Sequence, residues 1–123
     1  MKLLSRRLLV SLAALWSMGV QAGDADFTLI NKTGYEIESV FVAPSKSRTW
    51  GSDVLKDGTM PNGRKVPITF SKNSNVCVYD MLVHWVGYGR DEDSTWERLD
   101  LCAVHTISLF YDRKANVTTA ELD

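Results

Sequence analysis

Beyond residue 23, apolar and polar residues alternate with a period of two over several short stretches, the pattern of strands with one face turned to a core. Phe27 and Leu29, followed by Tyr35, Ile37 and Val40 to Val42, make two β-favouring runs. Between them, Asn31-Lys32-Thr33-Gly34 carries turn chemistry: Asn31 can cap the turn with its side-chain amide and Gly34 can take a positive φ. The two runs are therefore predicted to form a β-hairpin. From Pro44 to Gly63 the alternation is lost, and a long ordered loop with one helical turn is expected, pinned to the body by Trp50.

Alternation returns at Val66 to Phe70 and is strongest from Val76 to Val86. There Cys77, Tyr79, Met81, Val83 and Trp85 share one face, and Val76, Val78, Asp80, Leu82, His84 and Val86 the other. Two largely apolar faces predict a strand covered on both sides. A polar loop spans Gly87 to Ser94, Thr95 to Cys102 alternates again, and Val104 to Tyr111 and Ala115 to Leu122 read as final strands joined at Asp112-Arg113-Lys114. About seven short strands without a helix predict an all-β chain: a single antiparallel β-sandwich or small barrel.

The first 22 residues follow a different rule. Lys2, Arg6 and Arg7 precede an apolar stretch from Leu8 to Trp16, and Val20-Gln21-Ala22 places small residues three and one positions before a cut. This is the layout of a secretory signal peptide, and the apolar stretch is far short of the ~20 residues that cross a bilayer as a helix. Cleavage is expected after Ala22, dividing the chain into a leader (1–22) and one domain (23–123). The mature product is expected to be periplasmic or secreted, without a membrane span.

Cys77 and Cys102 both fall in the exported part, where two thiols normally pair. Their loop of 25 residues would contribute on the order of 3 kcal/mol in the chain-entropy model. Redox centres bring cysteines closer in sequence and zinc sites need more ligands, so a structural disulfide is expected. If the cysteines face each other across a hairpin, Val83 meets Trp96, Met81 meets Arg98 and Tyr79 meets Asp100. A bridge between two sheets is the alternative.

Charge then narrows the partners. Removing the three basic residues of the leader from the 14 in the chain leaves 11 against 15 acidic ones, a net charge of −4. Nucleic acid is excluded, because no basic face is available to displace counterions from phosphates. The chain holds no nucleophile elbow, phosphate loop or zinc-protease helix, and its histidines are only His84 and His105. His84 and Asp80 are four apart on one strand face, about 13 Å, too far to touch. Asp91, Glu92 and Asp93 in one loop, and Asp53 and Asp57 in another, supply oxygen ligands but fit no calcium-loop spacing. No cofactor and no catalytic set are expected. Trp50, Trp85, Trp96 and Tyr88 are many large aromatics for so short a domain; they fill the core or form a binding surface, with Trp50, Tyr88 and Trp96 the surface candidates.

With those residues placed, the mature chain resembles a family of small exported bacterial β-sandwich proteins of unknown function. The resemblance rests on Phe27-Thr28-Leu29-Ile30-Asn31-Lys32-Thr33-Gly34-Tyr35, Val42-Ala43-Pro44-Ser45, Trp50 with Asp53-Val54-Leu55, Cys77-Val78-Tyr79-Asp80, Asp100-Leu101-Cys102 and Tyr111-Asp112-Arg113-Lys114. Such proteins have sometimes carried an argininosuccinate lyase label, but that enzyme is a large helical tetramer whose length and serine loop this chain lacks. The Gly87 to Ser94 loop is longer and more charged than the family pattern. The resemblance implies a fold and a compartment, and no catalytic residue.

The expectation for function is a non-enzymatic module that binds a protein or an envelope component through its loops. Two alternatives come from other classes. One is a periplasmic inhibitor of a hydrolase such as lysozyme, on fold-level analogy. The other is a metal-dependent or calcium-binding protein using Asp53, Asp57, Asp80 or His84.

Overall fold

Residues 24–70 and 75–123 are described by a computed structural model of the chain; the leader assigned to residues 1–22 lies outside them. Seven strands form: β1 (Phe27–Lys32), β2 (Ile37–Pro44), β3 (Lys65–Ile68), β4 (Val78–Trp85), β5 (Ser94–Asp100), β6 (Thr106–Asp112) and β7 (Val117–Leu122). They make two sheets, β3-β1-β6-β7 and β2-β4-β5. Every pair is antiparallel except β1 with β6, which run parallel. Phe27, Leu29, Ile107 and Leu109 from the first sheet meet Ile37, Val40, Met81, Val83 and Leu99 from the second in one core. The described residues thus form an all-β sandwich with the strand number that the alternation predicts.

The predicted β1–β2 hairpin does not form. Both edges of β1 are occupied, by β3 and β6, so β2 must leave the sheet, and the chain crosses to the other layer instead. Asn31 directs this crossing. It stands in the inward stripe after Phe27 and Leu29 and is fully buried. Its amide nitrogen donates to the Tyr35 carbonyl (2.7 Å) and the Met60 carbonyl (2.9 Å). Its Oδ1 accepts from the Thr33 N–H (3.1 Å) and the Thr33 hydroxyl (2.7 Å). A buried amide must fill its hydrogen-bonding capacity, and the corner folded this way supplies four hydrogen bonds at once. Gly34 takes the expected positive φ, 89°.

Met60 rather than Trp50 fastens the long loop. Met60 is fully buried and exchanges both backbone hydrogen bonds with Ile37 (2.8 and 3.0 Å), whereas Trp50 is half-buried and outside the core cluster. Asp53 Oδ1 accepts the Val40 and Leu55 N–H groups, and the Val54 N–H donates to the Val40 carbonyl. The loop therefore closes the free edge of β2, and turns stand where a helical turn was expected.

Only one face of β4 is fully covered. Tyr79, Met81, Val83 and Trp85 are buried as predicted, but Val78 and Val86 on the other face are exposed. β4 and β5 are adjacent, with two residues of β5, Glu97 and Arg98, opposite the single Asp80 of β4. The ladder sets Tyr79 against Leu99, not Asp100, and the bulge shifts it one residue further, so that Met81 meets Trp96, not Arg98, and Val83 meets Ser94, not Trp96. The bulge also swaps faces partway along β5, so Trp96 and Leu99 both reach the core although an odd spacing separates them. Cys77 and Cys102 are bonded just beyond the β4–β5 ladder, with Cα atoms 5.2 Å apart, and the Leu101 N–H donates to the Cys77 carbonyl. The disulfide thus joins neighbouring segments of one sheet rather than bridging two.

Asn31→Ala is expected to lower unfolding free energy by about 2–4 kcal/mol, since three buried hydrogen bonds and one partly buried one are lost and two carbonyls lose a donor. Urea denaturation checks this, with Asn31→Asp expected to be at least as damaging because it replaces both donors with a buried charge. An unchanged midpoint in both variants refutes the role given to the amide.

Candidate functional site

At the β4–β5 hairpin end of the sandwich, three tyrosines converge from three separate elements. Tyr35 comes from the β1–β2 corner, Tyr88 from the β4–β5 loop and Tyr111 from the end of β6. Tyr35 is central: its ring lies 6.2 Å from that of Tyr88 and 5.3 Å from that of Tyr111, at interplanar angles of 84° and 86°. These are edge-to-face contacts, which aromatic quadrupoles favour. Thr33, Trp85, Asn116 and the acidic hairpin loop complete the walls of a cleft of about 300 Å³.

Each tyrosine is held from behind. The Tyr35 N–H donates to the Thr33 hydroxyl (3.1 Å), and its carbonyl accepts from Asn31, so the central ring is mounted on the polar network of the corner. The Tyr111 hydroxyl donates to Asn116 Oδ1 (2.7 Å). Tyr88 sits on a loop tied to β4 by two side chains. Asp93 Oδ1 lies 2.6 Å from His84 Nδ1, both groups nearly buried, and Trp85 Nε1 donates to Ser94 Oγ (3.2 Å). Despite this support, Tyr35 remains 36% exposed and Tyr88 50% exposed.

The rim is acidic. Asp91, Glu92 and Asp93 line the cleft through a short 3-10 turn over Arg90–Glu92. The Arg90 guanidinium reaches Asp93 Oδ2 at 3.8 Å, and among the described residues neither Asp91 nor Glu92 has an ion-pair partner. Gly89 leaves room for the Asp91 carboxylate, whose Oδ1 would lie 2.7 Å from any Cβ at that position.

A second groove occurs at the disulfide end, lined by Pro44, Ser45, Val78, Asp80 and Arg98 among others. Asp80 Oδ1 accepts the Ser45 hydroxyl (2.6 Å) and the Arg98 N–H (2.9 Å). The Ser45 bond first and the Arg98 N–H second hold this carboxyl below its ordinary value of 3.8; burial opposes them, and the Arg98 charge adds a weaker downward pull. The bulge residue Arg98 has φ 56°, and Asp80 satisfies the donor that the broken ladder leaves free.

The four residues weighed as metal ligands are not brought together. Asp53 binds backbone in the long loop, Asp57 is exposed there, Asp80 holds the bulge and His84 holds Asp93. Among the described residues, three side chains able to ligate a metal meet only at Cys77, Asp100 and Cys102, where both sulfurs are consumed in the disulfide. Of the aromatic surface candidates, Tyr88 lines the cleft. Trp96 is half-buried against the core and Trp50 is half-buried in its loop, so neither joins Tyr88. Sequence reasoning missed Tyr35, in the corner between β1 and β2, Tyr111, near the end of β6, and the His84–Asp93 pair. The recurring signal was a tyrosine beside a turn: Gly34-Tyr35, Gly87-Tyr88-Gly89 and Tyr111-Asp112. Comparison with protein families, with characterised proteins and with solved structures gives no match in any of the three.

Two expected outcomes follow from these contacts. Because the folded Asp80 binds its proton less readily than the unfolded one, its stabilisation is present above about pH 3.8 and is lost as pH falls below that value. Asp80→Asn keeps an acceptor but not the charge, so its urea midpoint should fall less than that of the wild type between neutral and acid pH. Parallel curves exclude this linkage. His84→Ala should cost about 1–3 kcal/mol by leaving Asp93 without its main partner, and chemical denaturation at neutral pH measures it.

Proposed function

We propose that this chain is an exported, non-enzymatic binding module that engages a protein or an envelope component through the tyrosine cleft. The observation that carries this reading is the combination of exposure and support: two tyrosines remain open to solvent while hydrogen bonds fix the segments bearing them. Rigid aromatic side chains anchor partners at small entropic cost, and exposed aromatics that share one cleft are suited to that task.

Four further features support the assignment. The Cys77–Cys102 bond fits an oxidising compartment outside the cytoplasm, which agrees with a cleaved leader and a periplasmic or secreted product. Among the described residues no helix is long and apolar enough to cross a membrane. His84 has Nδ1 on Asp93 and Nε2 facing Glu38, an arrangement suited to holding a loop rather than activating a nucleophile. The Asn31 to Tyr35 segment, which carries the resemblance to small exported bacterial β-sandwich proteins of unknown function, also builds one wall of the cleft.

Crosslinking of the tagged full chain in its own cells, followed by capture, tests the proposal. The wild type should recover a specific partner on a product beginning at Gly23, and Tyr35→Ala and Tyr88→Ala should lose it with little change in Tm. Equal recovery with both folded variants, or no specific partner with the wild type, overturns the reading.

A further inference from the structure

We infer that the cleft recognises a basic side chain of a partner protein, arginine or lysine, seated against the tyrosine rings and the carboxylates of Asp91 and Glu92. This rests on the cleft being the binding site, and it adds the chemistry of the ligand.

Charge complementarity carries the argument. The mature chain is net acidic, and three of its carboxylates lie along the rim of one aromatic cleft. The adjacent cation, Arg90, is directed to Asp93, which also receives His84, so that carboxylate is already served twice. Asp91 and Glu92 are exposed and have no ion pair among the described residues. A neutral ligand would leave those two charges without use.

The rings supply the second half of the recognition. Tyrosine faces carry negative potential and attract cations within about 6 Å of the centroid. Edge-to-face contacts cover at most one face each, so the two contacts of Tyr35 leave at least four of the six ring faces free of another tyrosine. The chain uses the same attraction elsewhere: the Lys32 ammonium lies 5.6 Å from the Phe110 centroid. A guanidinium suits the cleft best, because its plane stacks on a ring while its N–H fork donates to a carboxylate. The cleft volume of about 300 Å³ matches a side chain rather than a folded segment.

The test is a titration of the isotope-labelled protein, followed by NMR, with three short blocked peptides, Gly-Arg-Gly, Gly-Lys-Gly and Gly-Gln-Gly, and with tetramethylammonium. The arginine peptide should shift the signals of Tyr35, Tyr88, Tyr111 and residues 91–94 saturably, with an affinity on the order of millimolar for a single side chain. The lysine peptide should bind the same residues more weakly, and the glutamine peptide should not bind. Tyr88→Ala should weaken arginine binding about threefold or more. The double variant Asp91→Asn, Glu92→Gln should weaken it further and remove its dependence on salt. Equal binding of the glutamine peptide, shifts outside the cleft, or an unchanged affinity in the charge-neutral double variant overturns the inference. Binding of tetramethylammonium above arginine overturns the basic side chain in favour of a quaternary ammonium ligand. If Tyr88→Ala loses the captured partner while no basic peptide binds, the cleft stands as a docking site and only its preference for cations fails.

Discussion

The buried amide of Asn31 is the constraint on which both the sandwich and its cleft depend. An uncharged polar group with no access to water must find its partners within the protein, or the desolvation cost remains uncompensated. Asn31 finds them in Thr33, Tyr35 and Met60, and these lie on the two segments that must be fixed for the layers to close. One carbonyl belongs to the corner between layers, and another to the loop that seals the edge of β2. Because the Tyr35 backbone is bonded at both its N–H and its carbonyl, the same network sets the position of the central ring. Fold and site are thus two consequences of one satisfied side chain.

The strand pattern was legible because the inward residues of β1, β4 and β6 recur at the period that the pleat imposes. The disulfide was legible from compartment logic alone. Pairing was not, because turn chemistry at Asn31 to Gly34 is equally compatible with a hairpin and with a crossing between sheets. The choice is made by β3 and β6, which occupy both edges of β1 from distant parts of the chain. The β5 bulge escaped for a similar reason. Thr95 to Cys102 alternates cleanly in sequence, and only the placement of Asp80 opposite Arg98 shows where the extra residue sits. Met60 was obscured by the polar residues around it, although its burial equals that of Leu29.

The cleft was the least legible part, since no motif joins its members. Tyr35, Tyr88 and Tyr111 are separated by long stretches of chain and meet only because a corner, a hairpin loop and a strand end share one side of the sandwich. Tryptophan drew attention as the larger aromatic, yet Trp85 and Trp96 serve the core, where large apolar area contributes most. Tyrosine suits the boundary better, because its ring packs while its hydroxyl stays hydrated or bonded, as Tyr111 does with Asn116.

The two ends of β4 are stabilised by different physics. Cys77 stands at one end, beside the Asp80 bulge, and Trp85 at the other, beside the cleft, eight residues or about 26 Å away. The covalent bond restricts the unfolded chain and lies too far away to dictate the orientation of any tyrosine. Orientation at the cleft comes from short polar contacts instead: Asn31 and Thr33 under Tyr35, His84 and Asp93 under the hairpin loop, Asn116 on Tyr111. Such contacts are directional, whereas a disulfide between neighbouring strands only limits separation. The division explains how a small domain can leave two tyrosines open to solvent while keeping them in place. The disulfide contributes stability alone at its end, whereas the polar network at the cleft end contributes stability and orientation together.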